Sequence, residues 1–145
     1  MNRIALICIV VAFNTAAVVA QSQPNPQTMP TAAATPTAKV TIEGLVRDLA
    51  CPIQNPEAKA TKFNLECALE CARNGSPLVV QTEDGVLYFP ISDSTPDKDQ
   101  HEKLMPFVGK YVRVVGTVYE RKGTRAIAMT EIKEMKNVHL TTDAK

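Results

Sequence analysis

Apolar side chains recur along this chain at two spacings. In Val40-Thr-Ile-Glu-Gly-Leu-Val, residues Val40, Ile42, Gly44 and Val46 fall on one side, and that period of two predicts a half-buried strand. Val112, Val114, Gly116 and Val118 repeat the arrangement. Between them, Pro77-Leu-Val-Val-Gln-Thr and Val86-Leu-Tyr-Phe are joined through Glu83-Asp84-Gly85, whose Asp-Gly pair supplies the positive φ that a tight hairpin needs. Lys122-Gly123-Thr124 then turns the chain into a last strand, Arg125-Ala-Ile-Ala-Met-Thr-Glu-Ile. Two helices interrupt this β pattern. One is expected from about Thr61 to Asn74, ended by Gly75. The other is short, with Thr95 as N-cap, Pro96 at the first helical position and acidic residues in its first turn, ended by Pro106 and Gly109.

Glycine in mid-strand costs stability unless the backbone must bend or bulge, as it does where a small barrel coils on itself. Gly44 and Gly116 therefore argue for a barrel. The order is strand, insertion, hairpin, short helix, hairpin, which is the order of an OB-fold. The predicted class is mainly β: a small five-stranded OB-fold-like barrel with a Cys-bearing helical insertion after its first strand and a short helix between strands three and four.

Residues 1–20 set one Arg before a mostly apolar stretch and end on Val18-Val19-Ala20, the small residues a signal peptidase reads. Ile4 to Val11 is only eight apolar residues, whereas a membrane span needs about 20. Residues 1–20 are therefore expected to be a signal peptide cleaved after Ala20, leaving a periplasmic or secreted protein with no membrane span. Residues 21–38 carry four of the ten prolines and no charge, which predicts a disordered Pro/Ala/Thr linker. The domain proper is expected at 39–140, with a frayed tail from Thr141.

Charge narrows the partners. Sixteen basic residues face 15 acidic ones, and loss of Arg3 with the signal peptide makes the formal charge zero. Tyr111, Arg113, Thr117, Tyr119 and Arg121, with Lys122 and Arg125, would give a face of aromatics and cations of the kind that binds single strands. Zero net charge and export argue against nucleic acid, and cross-strand packing accounts for the same residues. The partner is expected to be an unidentified protein or small ligand. Asp48, Glu66, Glu70, Asp84, Asp93, Asp97 and Asp99 read as solvated or capping carboxylates. No Ser-His-Asp spacing or phosphate loop is present, so the chain reads as a binding or assembly module and not an enzyme.

The cysteines stand above this background. Cys8 leaves with the signal peptide, and Cys51, Cys67 and Cys71 remain. Cys67 and Cys71 are one helical turn apart, with Cβ atoms about 5–6 Å from each other, whereas a disulfide wants about 3.5–4.5 Å. They should not bond each other while the helix is intact. Three readings stay open. A disulfide from Cys51 to Cys67 or Cys71 would close a loop of about 16 or 20 residues and contribute on the order of 3 kcal/mol. Alternatively all three thiolates hold copper, as Cu(I), or zinc, with His101 as a weak fourth ligand. The third is thiol–disulfide exchange through the odd cysteine, although Cys-x-x-Cys is absent. No other cofactor is implied; Ala72 after Cys71 excludes Cys-x-x-Cys-His haem attachment. His139, in the tail, carries no role.

The run Gly109-Lys-Tyr-Val-Arg-Val-Val-Gly-Thr-Val-Tyr-Glu resembles the last hairpin of exported bacterial OB-fold proteins. Cys67-Ala-Leu-Glu-Cys-Ala-Arg-Asn-Gly-Ser-Pro-Leu-Val-Val with Asp84-Gly-Val-Leu-Tyr is similar to a family of them sharing a Cys-x-x-x-Cys helix before the first hairpin. The resemblance covers roughly residues 42–132. It implies a fold and a compartment, and no reaction.

Export makes a direct prediction: protein recovered from periplasm or medium begins at Gln21, which intact mass reads. Recovery of the unprocessed chain in membranes would contradict it.

Overall fold

The structure is a computed structural model, and it describes residues 35–142 of the 145. The expected signal peptide and residues 21–34 of the expected linker lie outside the described residues. In chain order the elements are β1 (Thr35–Asp48), α1 (Ala50–Gln54), β2 (Lys62–Phe63), α2 (Leu65–Arg73), β3 (Leu78–Gln81), β4 (Leu87–Ile91), α3 (His101–Leu104), β5 (Tyr111–Arg121), β6 (Thr124–Glu134) and β7 (Thr141–Thr142). A 3₁₀ turn, Met105–Phe107, follows α3. No helix among the described residues is long and apolar enough to cross a membrane.

Five strands form one sheet in the order β1-β3-β4-β6-β5, and β5 returns to pair with β1, so the sheet closes on itself. All its pairings are antiparallel except β4 with β6. β1 serves two neighbours. Its residues from Thr35 to Leu45 pair with β5, while Leu45 to Asp48 pair with β3. The interior is filled by the alternating apolar positions read from the sequence, with Ile42, Val46, Val112, Val114, Val118, Ile127 and Met129 buried.

Both mid-strand glycines lie where another backbone comes close. A Cβ on Gly44 would collide with the Gln81 carbonyl, and one on Gly116 with the Ala128 carbonyl. The register of β5 against β6 also shifts between Val115 and Gly116, which is a bulge at the expected place. Both hairpins turn where expected: Lys122 and Gly123 have φ 48° and 84°, whereas in the first only Gly85, at φ 84°, and not Asp84, takes the positive φ expected of the Asp-Gly pair.

Elsewhere the structure corrects the pattern-based boundaries. β1 starts at Thr35, inside the segment expected to be linker, because that stretch pairs with the far end of β5. The insertion helix starts at Leu65 and not at Thr61, since the Asn64 side chain accepts the Cys67 N–H at 2.8 Å and caps it there. Lys62–Phe63 instead pairs in parallel with Thr141–Thr142, which removes the frayed tail expected from Thr141. Thr95 does not cap a helix. Asp97 accepts both the backbone N–H and the hydroxyl of Ser92 at 2.7 Å, which closes a polar loop over the expected first turn. α3 begins at His101, with its N–H on Asp99. Tyr111, expected on the outer face, is buried.

The insertion between β1 and β3 carries all the cysteines of the domain. Its ends are fastened together by the Leu49 N–H donating to the Pro77 carbonyl at 2.8 Å. Ala68 and Ala72 of α2 are fully buried, and their small side chains let the helix pack closely against the sheet.

The glycine contacts predict the response to a methyl group. Gly44→Ala and Gly116→Ala should each destabilise by about 1–3 kcal/mol, the usual cost of overpacking, as read by urea unfolding. A variant as stable as the parent would show that the backbones at that crossing can move apart freely.

Candidate metal centre

Each cysteine has its backbone fixed before its sulfur is considered. The Cys51 N–H donates to Asp48 Oδ2 at 2.7 Å, and the Cys51 carbonyl accepts from the Asn55 N–H at 2.9 Å. Cys67 is held through its N–H by the Asn64 cap. Cys71 lies at the other end of the same helix, where its carbonyl accepts the Ser76 N–H at 3.0 Å and Ala72 accepts the Gly75 N–H at 3.1 Å. With Gly75 at φ 85°, this is a Schellman ending. Two caps and one strand end thus aim the side chains.

The sulfurs converge. Cys51, Cys67 and Cys71 place their Sγ atoms within 4.8 Å of one another. Cys51 Sγ and Cys67 Sγ are 3.4 Å apart, a contact between thiols and not a bond, and all three cysteines are free. All are partly exposed. Cys51 and Cys67 open onto a cleft of about 390 Å³ also walled by Arg47, Asn55, Phe63 and Asn64.

The surroundings are unusual for a surface cluster. Asp48 is fully buried, and Arg47 is 2% exposed. Arg47 donates through Nη1 to Gln81 Oε1 at 3.2 Å, and its guanidinium stands 5.8 Å over the Phe63 ring. Gln81 in turn donates to the Ala58 carbonyl at 2.8 Å, tying the loop between α1 and β2 to the sheet. Among the described residues, two buried side-chain atoms have no hydrogen-bond partner, Arg47 Nε and Asp48 Oδ1.

Burial pushes the Cys51 thiol up to about 12, assisted by its hydrogen bond with Cys67 and then by the nearby Asp48. Burial also raises Cys71, followed by the negative charge of Asp48. In the free protein these two sulfurs stay protonated at neutral pH, which makes them poor nucleophiles.

Of the residues singled out from sequence, Cys51, Cys67 and Cys71 are brought together. His101 is not among them; it lines a separate groove of about 450 Å³ with Phe89 and Pro90. His139 is exposed. Asp48, read from sequence as a solvated or capping carboxylate, does accept the Cys51 N–H, but it is buried and not solvated. Its signal was the spacing: an Asp three residues before Cys51 is a capping distance. Arg47 was missed. It sits at the end of β1 where alternation predicts an outward side chain, and the sequence shows that an insertion follows but not that it folds back over Arg47.

No protein-family model matches this chain, nor does any curated protein or solved structure.

The thiol environment predicts slow alkylation. Raised from an ordinary 9.0 to about 12, Cys51 holds roughly a thousandth of the usual thiolate at neutral pH. In reduced, metal-free protein, iodoacetamide should label Cys51 far more slowly at pH 7.5 than in urea, and the rate should climb with pH well beyond 9. Labelling at pH 7.5 as fast as in urea would contradict this.

Proposed function

We propose that this protein is an exported, non-enzymatic soft-metal-binding protein, with a three-thiol site grafted on an OB-type barrel. The observation that carries the reading is the convergence of three sulfurs, from two separate helices, to within 4.8 Å. Three sulfurs around an ion at Zn–S distances of about 2.3 Å stand roughly 3.8 Å apart. Side-chain shifts of about an ångström bring them there. Thiolate donors favour Cu(I) and Zn²⁺ over the hard divalent cations. Supporting the OB-type assignment, the sheet runs first-second-third-fifth-fourth strand before returning to the first, and α3 falls between the third and fourth.

A second reading has its own support. Cys51 and Cys67 are 3.4 Å apart, so in an oxidising compartment a small rotation about their side chains would join them and leave Cys71 free. The protein would then be a disulfide-stabilised binding or assembly module for an unidentified partner. Thiol–disulfide exchange is the weakest of the three, because Cys71, the thiol that a Cys51–Cys67 bond would leave to attack, is raised by burial.

Reduced protein titrated with Zn²⁺ or Cu(I) should bind one ion per chain. Cys51→Ser, Cys67→Ser and Cys71→Ser should each weaken binding by about 100-fold or more, and a chelator should strip the parent. A Cys51–Cys67 bond in peptide maps of exported protein, with no ion bound after reduction, would favour the second reading and overturn the first.

A further inference from the structure

Metal ligation and disulfide formation draw on the same atoms in different oxidation states. Cys51 Sγ and Cys67 Sγ, 3.4 Å apart, belong to α1 and α2 and are separated by 16 positions in the chain. A disulfide sets its sulfurs about 2.05 Å apart, so each has to move by less than about 1 Å to reach it. Both backbones are already fixed, Cys51 through the Asp48 carboxylate and Cys67 through the Asn64 cap. Neither contact involves a sulfur, so a bond between the side chains leaves both in place.

These two cysteines also line the cleft of about 390 Å³, and Cys71 does not. A small oxidant entering from solvent therefore meets the pair that is placed to bond. Once they do, one thiol of the three remains. Among the described residues no histidine or carboxylate joins the three-cysteine group, so nothing replaces the two donors lost. An ion left with a single protein donor has an open coordination shell and is released.

We propose that oxidation of Cys51 and Cys67 to a disulfide expels the ion, so that the site is an oxidant-responsive metal store, loaded when reduced and emptied by peroxide. This rests on the three-thiol reading above and adds its regulation. In the step, one thiolate takes an oxygen from hydrogen peroxide to become a sulfenic acid, and the other oxygen leaves as water. The second thiolate then attacks the sulfenic sulfur, the S–S bond forms, and the transferred oxygen leaves as a second water. Two electrons pass from the sulfur pair to the cleaved O–O bond, and solvent supplies two protons. Because ion and bond compete for the same two sulfurs, the coupling is reciprocal: a bound ion opposes the disulfide as strongly as the disulfide weakens binding.

Zinc is the ion for the test, since it has no redox chemistry of its own. Reduced, zinc-loaded protein is treated with hydrogen peroxide; a weak chromogenic chelator follows the released ion, and peptide maps locate the bond. The expected result is one ion released for each Cys51–Cys67 bond formed, with Zn²⁺ affinity lowered by about 100-fold or more in the oxidised protein and restored by a reductant. Metal-free Cys71→Ser should form the same bond, because that sulfur takes no part in it. A bond formed with the ion retained, an ion released without that bond, or a protein that keeps its thiols and its ion under peroxide would overturn the release mechanism and leave the three-thiol site standing. A folded Cys71→Ser that forms no bond would do the same, and should that variant not fold, the parent alone decides. Failure of the reduced parent to bind Zn²⁺ would overturn the proposal, and failure to bind Cu(I) as well would overturn the three-thiol reading with it.

Discussion

Closure of this sheet depends on one strand serving two partners. β1 leaves β5 and takes up β3 at Leu45, which pairs with both Tyr111 and Gln81. The change of neighbour requires the two backbones to come unusually close, and Gly44 permits it by having no side chain to strike the Gln81 carbonyl. Gly116 does the same on the opposite side against Ala128. With those approaches allowed, each of the five strands has a neighbour on both sides. β1 then runs on to Asp48, and the thiol site begins where that strand stops.

The site combines rigid backbone with expensive side chains. Caps at Asn64 and Gly75 hold the two ends of α2, and Asp48 holds the start of α1, so the three sulfurs are aimed by the backbone itself. The cost appears as a buried carboxylate and a buried guanidinium, each with an unsatisfied atom. Such groups are tolerated in folded proteins when they are part of a function or when something else completes them.

The strands were legible because a closed sheet buries one face of each, so the period of two at Val40, Ile42, Val112, Val114 and Val118 maps directly onto the interior. It fails where the other face is covered too. At the end of β1, Leu45, Val46, Arg47 and Asp48 are all buried, because the insertion packs over the outside, and no local pattern encodes that cover. The helix starts were misplaced for a different reason: Asn64 and Thr61 are both competent caps, as are Asp99 and Thr95, and the choice is made by what the neighbouring chain offers. Sequence brought forward the three cysteines through their chemistry, but also His101, whose chemistry is equally visible and whose position is wrong. Asp48 shows the converse. Its spacing to Cys51 marks it as a cap, which it is, and only its burial reveals the second, unused oxygen.

The hydrogen bond from Leu49 to Pro77 sets the span that the insertion must cover. β1 and β3 are antiparallel neighbours in register up to Asp48 and Leu78, so everything between them is topologically an oversized hairpin loop with a clasped base. A short turn could bridge the same two strand ends. The clasp fixes where the segment leaves and rejoins the sheet, and between those points Ala60, Phe63, Ala68 and Ala72 sink into the core, so the segment is part of the domain's packing and not an appendage to it. Asp48, the last residue of β1, joins sheet and segment by accepting the Cys51 N–H, so the strand's end sets where the first cysteine begins.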